Sequence, residues 1–148
     1  MRAVVTRVSW ARVRCEGRTT GEIQRGFLVL LGVGTKDTAA EAEWMADRVA
    51  GLRVFEDEAG KMNRSLDQVA GQVLAVSNFT LYADCSSRRP GFTQAARPEV
   101  AEPLYRRFME ALRERGVTVE EGVFGGDMAV ESLNDGPITI ILDTERKK

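Results

Sequence analysis

Phe27-Leu28-Val29-Leu30-Leu31-Gly32-Val33 is a nearly continuous run of apolar residues in the first third of the chain. It lacks the apolar-polar alternation of a half-exposed strand, and such a run is typical of a strand buried on both faces. We therefore expect an interior strand here. The flanking patterns predict its neighbours at residues 2–10, 12–16, 52–55, 72–76, 117–121, 128–133 and 138–142.

Two segments carry the signals of helices. Thr38-Ala39-Ala40-Glu41 has the form of a capping box, in which a hydroxyl and a carboxylate each satisfy an end amide. The helix that follows has apolar residues three and four apart, at Ala42, Met45, Val49 and Leu52. A second amphipathic helix is predicted over residues 98–115. Pro103 lies early in this helix and predicts a kink or a later start, because proline lacks an amide proton.

We expect an α/β fold: a compact, β-barrel-like mixed or antiparallel sheet with two main helices. A chain of 148 residues is the usual size of one domain, so residues 1–148 are expected to form a single soluble domain. Residues 145–148, at the end of the chain, are predicted to form a frayed tail.

The composition excludes several classes of function. The chain has no histidine, so Ser/His/Asp and Cys/His triads and imidazole zinc sites are impossible. Catalysis would have to use hydroxyls, main-chain groups, carboxylates or the substrate itself, and we expect no metal and no cofactor. A formal charge of -1 and a pI near 5.6 argue against a duplex binder, so we expect no DNA partner. No stretch approaches the ~20 apolar residues of a membrane span, and we expect a cytoplasmic protein without a membrane partner.

Ser77-Asn78-Phe79-Thr80-Leu81 follows the strand predicted at residues 72–76. If that strand ends at Ser77, the next amides turn outward and become donors for a developing oxyanion. The alternative is that the two hydroxyl side chains only satisfy backbone groups at a strand end. The pentapeptide by itself favours this second interpretation.

Asn134-Asp135-Gly136-Pro137 stands between the last two predicted strands. Asn, Asp, Gly and Pro are the residues that turns require, so the stretch predicts a hairpin connection. Its Gly136-Pro137 bond has the further option of the cis isomer, which would make a rigid polar wedge.

The two stretches together resemble one known family. Ser77-Asn78-Phe79-Thr80-Leu81 is similar to the Ser-Gln-Phe-Thr-Leu motif of the D-aminoacyl-tRNA deacylases (D-tyrosyl-tRNA(Tyr) deacylases). Asn134-Asp135-Gly136-Pro137-Ile138-Thr139 is similar to their Asn-x-Gly-Pro-Val-Thr motif. Four further stretches look like family signatures in the expected order. These are Phe27-Leu28-Val29-Leu30-Leu31-Gly32-Val33, Gly60-Lys61-Met62-Asn63, Arg89-Pro90-Gly91-Phe92 and Phe124-Gly125-Gly126-Asp127-Met128.

The resemblance implies hydrolysis of the ester that joins a D-amino acid, or glycine mischarged on tRNA(Ala), to the terminal ribose of tRNA. The catalytic residues carried over are Thr80, Ser77, Asn78 and Phe79, and Asn78 departs from the family's glutamine by one methylene. We expect Thr80 to position the substrate, since an unactivated threonine is a poor nucleophile. Hydrogen bonds to the ester carbonyl and help from the ribose 2′-hydroxyl would then lower the barrier.

The resemblance also implies a homodimer with its active sites at the subunit interface. In the family the Gly-Pro pair, here Gly136 and Pro137, is a cis wedge that reaches into the partner subunit's site and collides with L side chains. Substrate-binding residues would be Asn134, Phe92, Phe124 and Met128, with core packing as the alternative role of the last three.

Three other functions stay open on the sequence. The chain could be a non-catalytic module that binds the tRNA acceptor end, since a small footprint suits its charge equally well. It could be a small-molecule hydrolase that uses Cys85, or an interaction protein whose hairpin simply dimerises.

Overall fold

The apolar run forms strand β3 (Gly26–Gly32), in which every residue but Leu30 is buried. The computed structural model describes residues 1–146. β3 pairs with β1 (Arg2–Cys15) in antiparallel fashion and with β6 (Gln72–Ser77) in parallel. The predicted interior strand is therefore confirmed, and its two neighbours leave it no free edge.

Strand β1 organises the rest of the sheet. It is one continuous strand, so the predicted break between residues 10 and 12 is wrong. Along one edge it pairs first with β3 and then with β2 (Arg18–Ile23). Along its other edge it pairs with β8 (Met128–Asp143).

The sheet is mixed and nearly closes into a barrel. Its strand order is β2-β1-β3-β6-β7, with β8 attached to β1, and β7 (Thr118–Glu121) runs parallel to β6. A Cβ placed on Gly21 of β2 would lie 2.5 Å from the Glu121 carbonyl oxygen. Only glycine allows β2 to approach β7 this closely, and this contact brings the two ends of the sheet together.

A short hairpin stands apart from the barrel. The predicted strand at residues 52–55 is displaced, because the chain from Leu52 to Val54 is irregular and the strand β4 covers Phe55–Glu56. β4 pairs with β5 (Met62–Arg64) around the turn that contains Gly60.

Helix α1 (Ala39–Gly51) starts at the predicted capping box. The Thr38 hydroxyl accepts from the Ala40 amide at 3.3 Å, and the Thr38 amide donates to the Glu41 carboxylate at 2.7 Å. Its buried face consists of Ala42, Met45, Ala46 and Val49.

Helix α2 (Pro98–Glu114) contains Pro103 but begins at Pro98, so the predicted later start is wrong. Pro103 is exposed, and water can therefore satisfy the carbonyl that its missing amide leaves without a helical donor. α1 and α2 cover one face of the sheet with the main core, which includes Met45, Phe108 and Leu112.

A smaller apolar cluster fills the other face of the sheet and supports the site described below. Its buried members are Val8, Ala11, Val13, Ile23, Leu28, Leu74 and Val76. Leu30 and Met128, which are only partly buried, pack against this cluster.

The predicted frayed tail is partly wrong. Thr144–Arg146 forms a 3₁₀ helix, and the Thr144 amide donates to the Met1 carbonyl at 2.9 Å. The Met1 ammonium is buried and pairs with Asp37 at 2.8 Å. Residues 147 and 148, the rest of that tail, lie outside the described residues.

Replacing Gly26 by alanine should destabilise the fold by ~2–4 kcal/mol. Gly26 has φ +157°, and an added Cβ would lie 1.8 Å from the Gln72 carbonyl oxygen. Gly51→Ala is the matched control, since no atom lies within 4 Å of its Cβ position. Urea unfolding checks this, and equal midpoints for the two variants would contradict it.

Candidate functional site

The Ser77 segment sits at the carboxyl end of β6. The strand ends at Ser77, and a 3₁₀ helix then covers Phe79–Tyr82. The Asn78 amide still donates to the Leu31 carbonyl at 2.8 Å. Among the described residues, no acceptor is found for the amides of Phe79 and Thr80, which are the first of this helix. Two adjacent donors of this kind are what a developing oxyanion needs.

A cavity of about 840 Å³ lies against this segment, within the size range of small-molecule sites. It brings together six of the ten predicted site residues: Ser77, Asn78, Phe79, Phe92, Phe124 and Met128. The rings of Phe79 and Phe92 meet edge to face with their centroids 5.1 Å apart. Phe124 packs on Tyr105 with a centroid distance of 6.0 Å, so it contributes to the core as well as to the cavity wall.

Thr80 is exposed and does not line the cavity. Its hydroxyl donates to the side-chain oxygen of Asn78. The proton of this hydroxyl is thus directed toward Asn78, and an amide oxygen is too weak a base to activate a nucleophile. This geometry suits a positioning role for Thr80 and gives the shorter Asn78 side chain a partner of its own.

The Asn134 segment does not form the predicted hairpin. Both flanking stretches of β8 pair with the same strand β1, with Asn134 opposite Val8 and Thr139 opposite Thr6. The chain therefore continues in one direction, and residues 135–138 bulge outward opposite the single residue Arg7. We call residues 135–138 the bulge loop. Its Gly136-Pro137 bond is cis.

Two side chains fix the bulge loop at its base. The Arg7 guanidinium donates to the Asp135 carbonyl at 3.2 Å and to the Val54 carbonyl at 2.6 Å, and lies 3.4 Å from the Asp135 carboxylate. The Asn134 side chain accepts from the Ile138 amide at 3.1 Å and donates to the Thr139 hydroxyl at 3.1 Å. Asn134, predicted to bind substrate, here braces its own loop.

Arg7 is the site residue that sequence reasoning missed. Only 6% of it is exposed, and it continues the buried side of β1 after Ala3 and Val5. A buried arginine must satisfy its donors inside the protein, which is why three acceptors surround it. The sequence feature that could have revealed Arg7 is a charged residue at a position where strand alternation predicts an apolar one.

The bulge loop does not reach the cavity of its own protomer. Gly136 and Pro137 are exposed and absent from the cavity lining. Ser132 is the lining residue nearest to the loop in sequence, and Gly136 follows it four residues later. Within one chain, the predicted site residues therefore fall into two separate groups.

A larger cleft, of about 1090 Å³, lies elsewhere and does not share a residue with the cavity. Two of its arginines pair with carboxylates of the same cleft: Arg115 with Asp47 at 2.9 Å and Arg64 with Glu58 at 3.4 Å. Cys85 is exposed and lines neither opening. Among residues 1–146 no group of acidic or thiol side chains has the arrangement of a metal site.

Tyr82 is the last residue of the 3₁₀ helix and carries a phenolic hydroxyl. It is buried, and the burial raises the pKa of the Tyr82 phenol. A phenol that stays protonated and faces away from the cavity cannot serve as a general base there. The groups left to act in the cavity are thus main-chain amides, neutral side chains and the single carboxylate of Asp127.

Comparison of the sequence with known proteins points to one family. The sequence model described as D-Tyr-tRNA(Tyr) deacylase matches residues 4–143. The chain belongs to the D-Tyr-tRNA(Tyr) deacylase family.

Two bacterial relatives show how complete the likeness to this deacylase family is. A D-aminoacyl-tRNA deacylase of Symbiobacterium thermophilum is 59% identical, in a match that covers 99% of this chain and 97% of the relative. One of Thermotoga petrophila is 55% identical, and the match covers 99% of each.

Solved structures share the fold of this deacylase family member. One titled c-Myc DNA Unwinding Element Binding Protein superposes with a TM-score of 0.92 at 41% identity, covering 97% of this chain and 99% of that one. Another, titled as a probable eukaryotic D-amino acid tRNA deacylase, has a TM-score of 0.84 over 95% and 97% of the two chains. Its 17% identity supports the fold alone.

Neither α1 nor α2, nor any other helix within residues 1–146, has the length and apolar character needed to cross a bilayer.

Arg7→Gln should lower the free energy of unfolding by about 2–3 kcal/mol, because the carbonyls of Val54 and Asp135 lose a charged donor in a buried place. Arg12→Gln is the matched control on the same strand, since Arg12 pairs with Glu131 at a partly exposed position and should cost less. Denaturant unfolding of both variants gives the comparison. A larger loss for Arg12→Gln would contradict the role assigned to Arg7.

Proposed function

We propose that this chain hydrolyses the ester of D-aminoacyl-tRNA, and of glycyl-tRNA mischarged on tRNA(Ala), while sparing L-aminoacyl esters. As a member of the deacylase family it is a hydrolase of aminoacyl-tRNA esters. The observation that carries the proposal for the chemistry is the strand end at Ser77, where the amides of Phe79 and Thr80 have no acceptor among the described residues and Phe79 lines a largely apolar cavity.

The chemical step follows from the donors at that strand end. The ester carbonyl oxygen accepts from the amides of Phe79 and Thr80, which stabilise the negative charge that develops on it. The attacking water is oriented beside the ester, and the ribose 2′-hydroxyl of the substrate assists in proton transfer. The water adds to the carbonyl carbon, the ester C–O bond breaks, and the ribose 3′-oxygen leaves with a proton. This route requires neither histidine nor a metal.

The walls of the cavity fit the end of an aminoacylated tRNA. Phe79 and Phe92 offer aromatic faces and edges for the terminal adenine, since base stacking on aromatic side chains is the usual way to hold an unpaired base. Phe124 and Met128 form the deeper apolar wall. A D side chain is accepted there without fine discrimination, because an apolar wall distinguishes side chains of similar size only weakly.

Chiral selection is assigned to the bulge loop of a second protomer. The loop is exposed, fixed by Arg7 and Asn134, and absent from the lining of its own cavity. Placed in a partner's cavity, it would occupy the space that an L side chain needs at the α-carbon, whereas a D side chain points away and glycine has none. Selectivity then comes from exclusion of the wrong ester.

The proposed homodimer is supported by the unpaired edge and the exposed apolar side chains of β8. Within the described residues this strand pairs only with β1, so its second edge is open. It exposes Val130, Leu133 and Ile141, the last to 73%. Long open edges with apolar side chains are surfaces that proteins cover by association. A twofold interface is reciprocal, so one contact would place each bulge loop at the other protomer's cavity.

The remaining expectations belong to this proposal. The partner is the aminoacylated 3′ end of tRNA, and the place of action is the cytoplasm, where charged tRNA is used. No DNA or membrane partner and no cofactor is part of the proposed reaction.

The test compares D-tyrosyl-, L-tyrosyl- and glycyl-tRNA as substrates of the wild-type protein. We expect multiple turnovers on the D and glycyl esters at substoichiometric protein, and at least about a hundredfold lower kcat/KM on the L ester, which corresponds to ~2.7 kcal/mol. Equal rates on the D and L esters would refute the chiral function. A single turnover per protein would instead favour a module that only binds the acceptor end.

The same assay separates the two roles of Thr80. Thr80→Ala should keep activity on D-tyrosyl-tRNA to within about tenfold, because the hydroxyl only positions neighbouring groups. Cys85→Ser is the control for the thiol alternative and should leave the rate unchanged. Loss of nearly all activity in Thr80→Ala would show that its hydroxyl takes part in the bond-forming step.

A further inference from the structure

The cavity has no cationic side chain among its lining residues that could bind the phosphates of its substrate. Among the residues that line it, Asp127 alone carries a charge, and this charge is negative. The terminal nucleoside of tRNA is preceded by phosphodiesters, each with one negative charge. With a net charge of -1, the chain as a whole offers no general attraction for RNA. The cations that meet these phosphates must therefore lie at the rim of the cavity.

Residues 84–91 form a loop at that rim, which we call the rim loop. It begins two residues after the end of the 3₁₀ helix Phe79–Tyr82 and leads into Phe92, whose ring contacts Phe79 in the cavity wall. Arg89 stands three residues before Phe92, which is at most about 11 Å along the chain. An arginine side chain on this loop can reach the nucleotides that leave the cavity.

The rim loop is held at its base. Asp84 and Gly91 exchange two backbone hydrogen bonds, at 2.8 and 2.9 Å. The Asp84 carboxylate accepts from the Ser86 amide at 3.0 Å, and this hydrogen bond lowers the pKa of Asp84. The Ser87 hydroxyl donates to the Arg89 carbonyl at 2.8 Å. A loop that is already ordered loses less entropy when it binds a ligand.

Arg88 and Arg89 differ from most arginines of the chain. Both are exposed, and within residues 1–146 neither has a carboxylate within ion-pair distance. The arginines that do have one are Arg2, Arg7, Arg12, Arg14, Arg64, Arg97, Arg106, Arg107, Arg113 and Arg115. Two adjacent guanidinium groups without such partners give the rim loop a local positive charge.

We propose that the rim loop is the phosphate clamp of this site, with Arg88 and Arg89 binding the phosphodiesters that precede the terminal adenosine of tRNA. The clamp rests on the proposed function, since it presumes that the terminal nucleoside occupies the cavity. Guanidinium groups suit this task because their forked donors match two phosphate oxygens at once. The clamp adds affinity for RNA without taking part in the choice between D and L esters.

A second route out of the cavity is less favourable. A smaller opening of about 320 Å³ shares Gly126 and Asp127 with it and carries Arg18. Glu16 and Asp127 also line that opening, so its single cation shares the opening with two carboxylates. A phosphate there would meet net repulsion, whereas the rim loop offers two adjacent cations.

The test uses the double variant Arg88→Gln/Arg89→Gln and two substrates. One is D-tyrosyl-tRNA, and the other is adenosine esterified with D-tyrosine, which has no phosphate. On the tRNA ester we expect kcat/KM to fall about tenfold or more, mainly through KM, and the slope of log(kcat/KM) against log[salt] to become shallower by about 1.4, for two lost contacts to a single strand. On the adenosine ester the rate should stay unchanged.

Two further variants sharpen the result. Arg48→Gln/Arg53→Gln removes the same charge beside the larger cleft and should leave both substrates unaffected. An equal loss in this control would mean general electrostatics and would overturn the clamp. The clamp would also be overturned if the rim-loop variant lost activity on the adenosine ester or kept the wild-type rate on the tRNA ester. A loss of activity on the tRNA ester found only in Arg18→Gln would overturn it as well.

Binding of uncharged tRNA separates the clamp from the chemistry. If the wild type cleaved neither ester, the proposed function would fail, yet the clamp would still predict weaker tRNA binding by the rim-loop variant than by the Arg48/Arg53 control. Equal affinities of the two variants for uncharged tRNA would refute the clamp whatever the outcome of the hydrolysis assays.

Discussion

The hydrogen bonds of the buried Arg7 guanidinium are the interactions on which the bulge loop, and the selection proposed for it, depend. Arg7 lies opposite four residues that have no partner in the β1–β8 register, and it binds both the carbonyl of Asp135 and that of Val54. An arginine so deeply buried is stable only while these acceptors stay in place. The bulge loop is therefore kept in one conformation by the same contacts that satisfy a core charge, and a rigid loop can exclude where a flexible one would yield.

This constraint separates the two parts of the proposed site. The strand end at Ser77 supplies donors and an apolar cavity, whereas the bulge loop lies farther along β8 and does not line that cavity. Under the proposed function, the place for the ester and the loop that selects the D ester are therefore separate within a single protomer. Reciprocal association of two protomers along β8 would bring the cavity of one to the bulge loop of the other. The open edge of the sheet would then have a role in catalysis as well as in assembly.

Local patterns predicted the elements well and their pairing less well. The apolar run at β3 and the capping box at Thr38 each encode their structure in a few neighbouring residues. The Asn-Asp-Gly-Pro stretch misled, because turn residues serve a hairpin and an outward bulge equally, and the difference lies in the pairing with a distant strand, β1. Arg7 was missed for the same reason: its acceptors come from residues 54 and 135, and only the folded chain brings them together.

Mixed dimers give the most direct test of selection across the subunit interface. One protomer carries Pro137→Gly, which removes the proline ring from its bulge loop. Its partner carries Ala95→Trp, which fills the partner's cavity. A different affinity tag on each protomer allows the mixed dimer to be isolated. Its one open cavity then faces an intact loop only if loops cross between subunits. We predict that it cleaves D-tyrosyl-tRNA and spares L-tyrosyl-tRNA, while the Pro137→Gly homodimer cleaves both. Cleavage of the L ester by the mixed dimer at the homodimer's rate per open cavity would contradict the account.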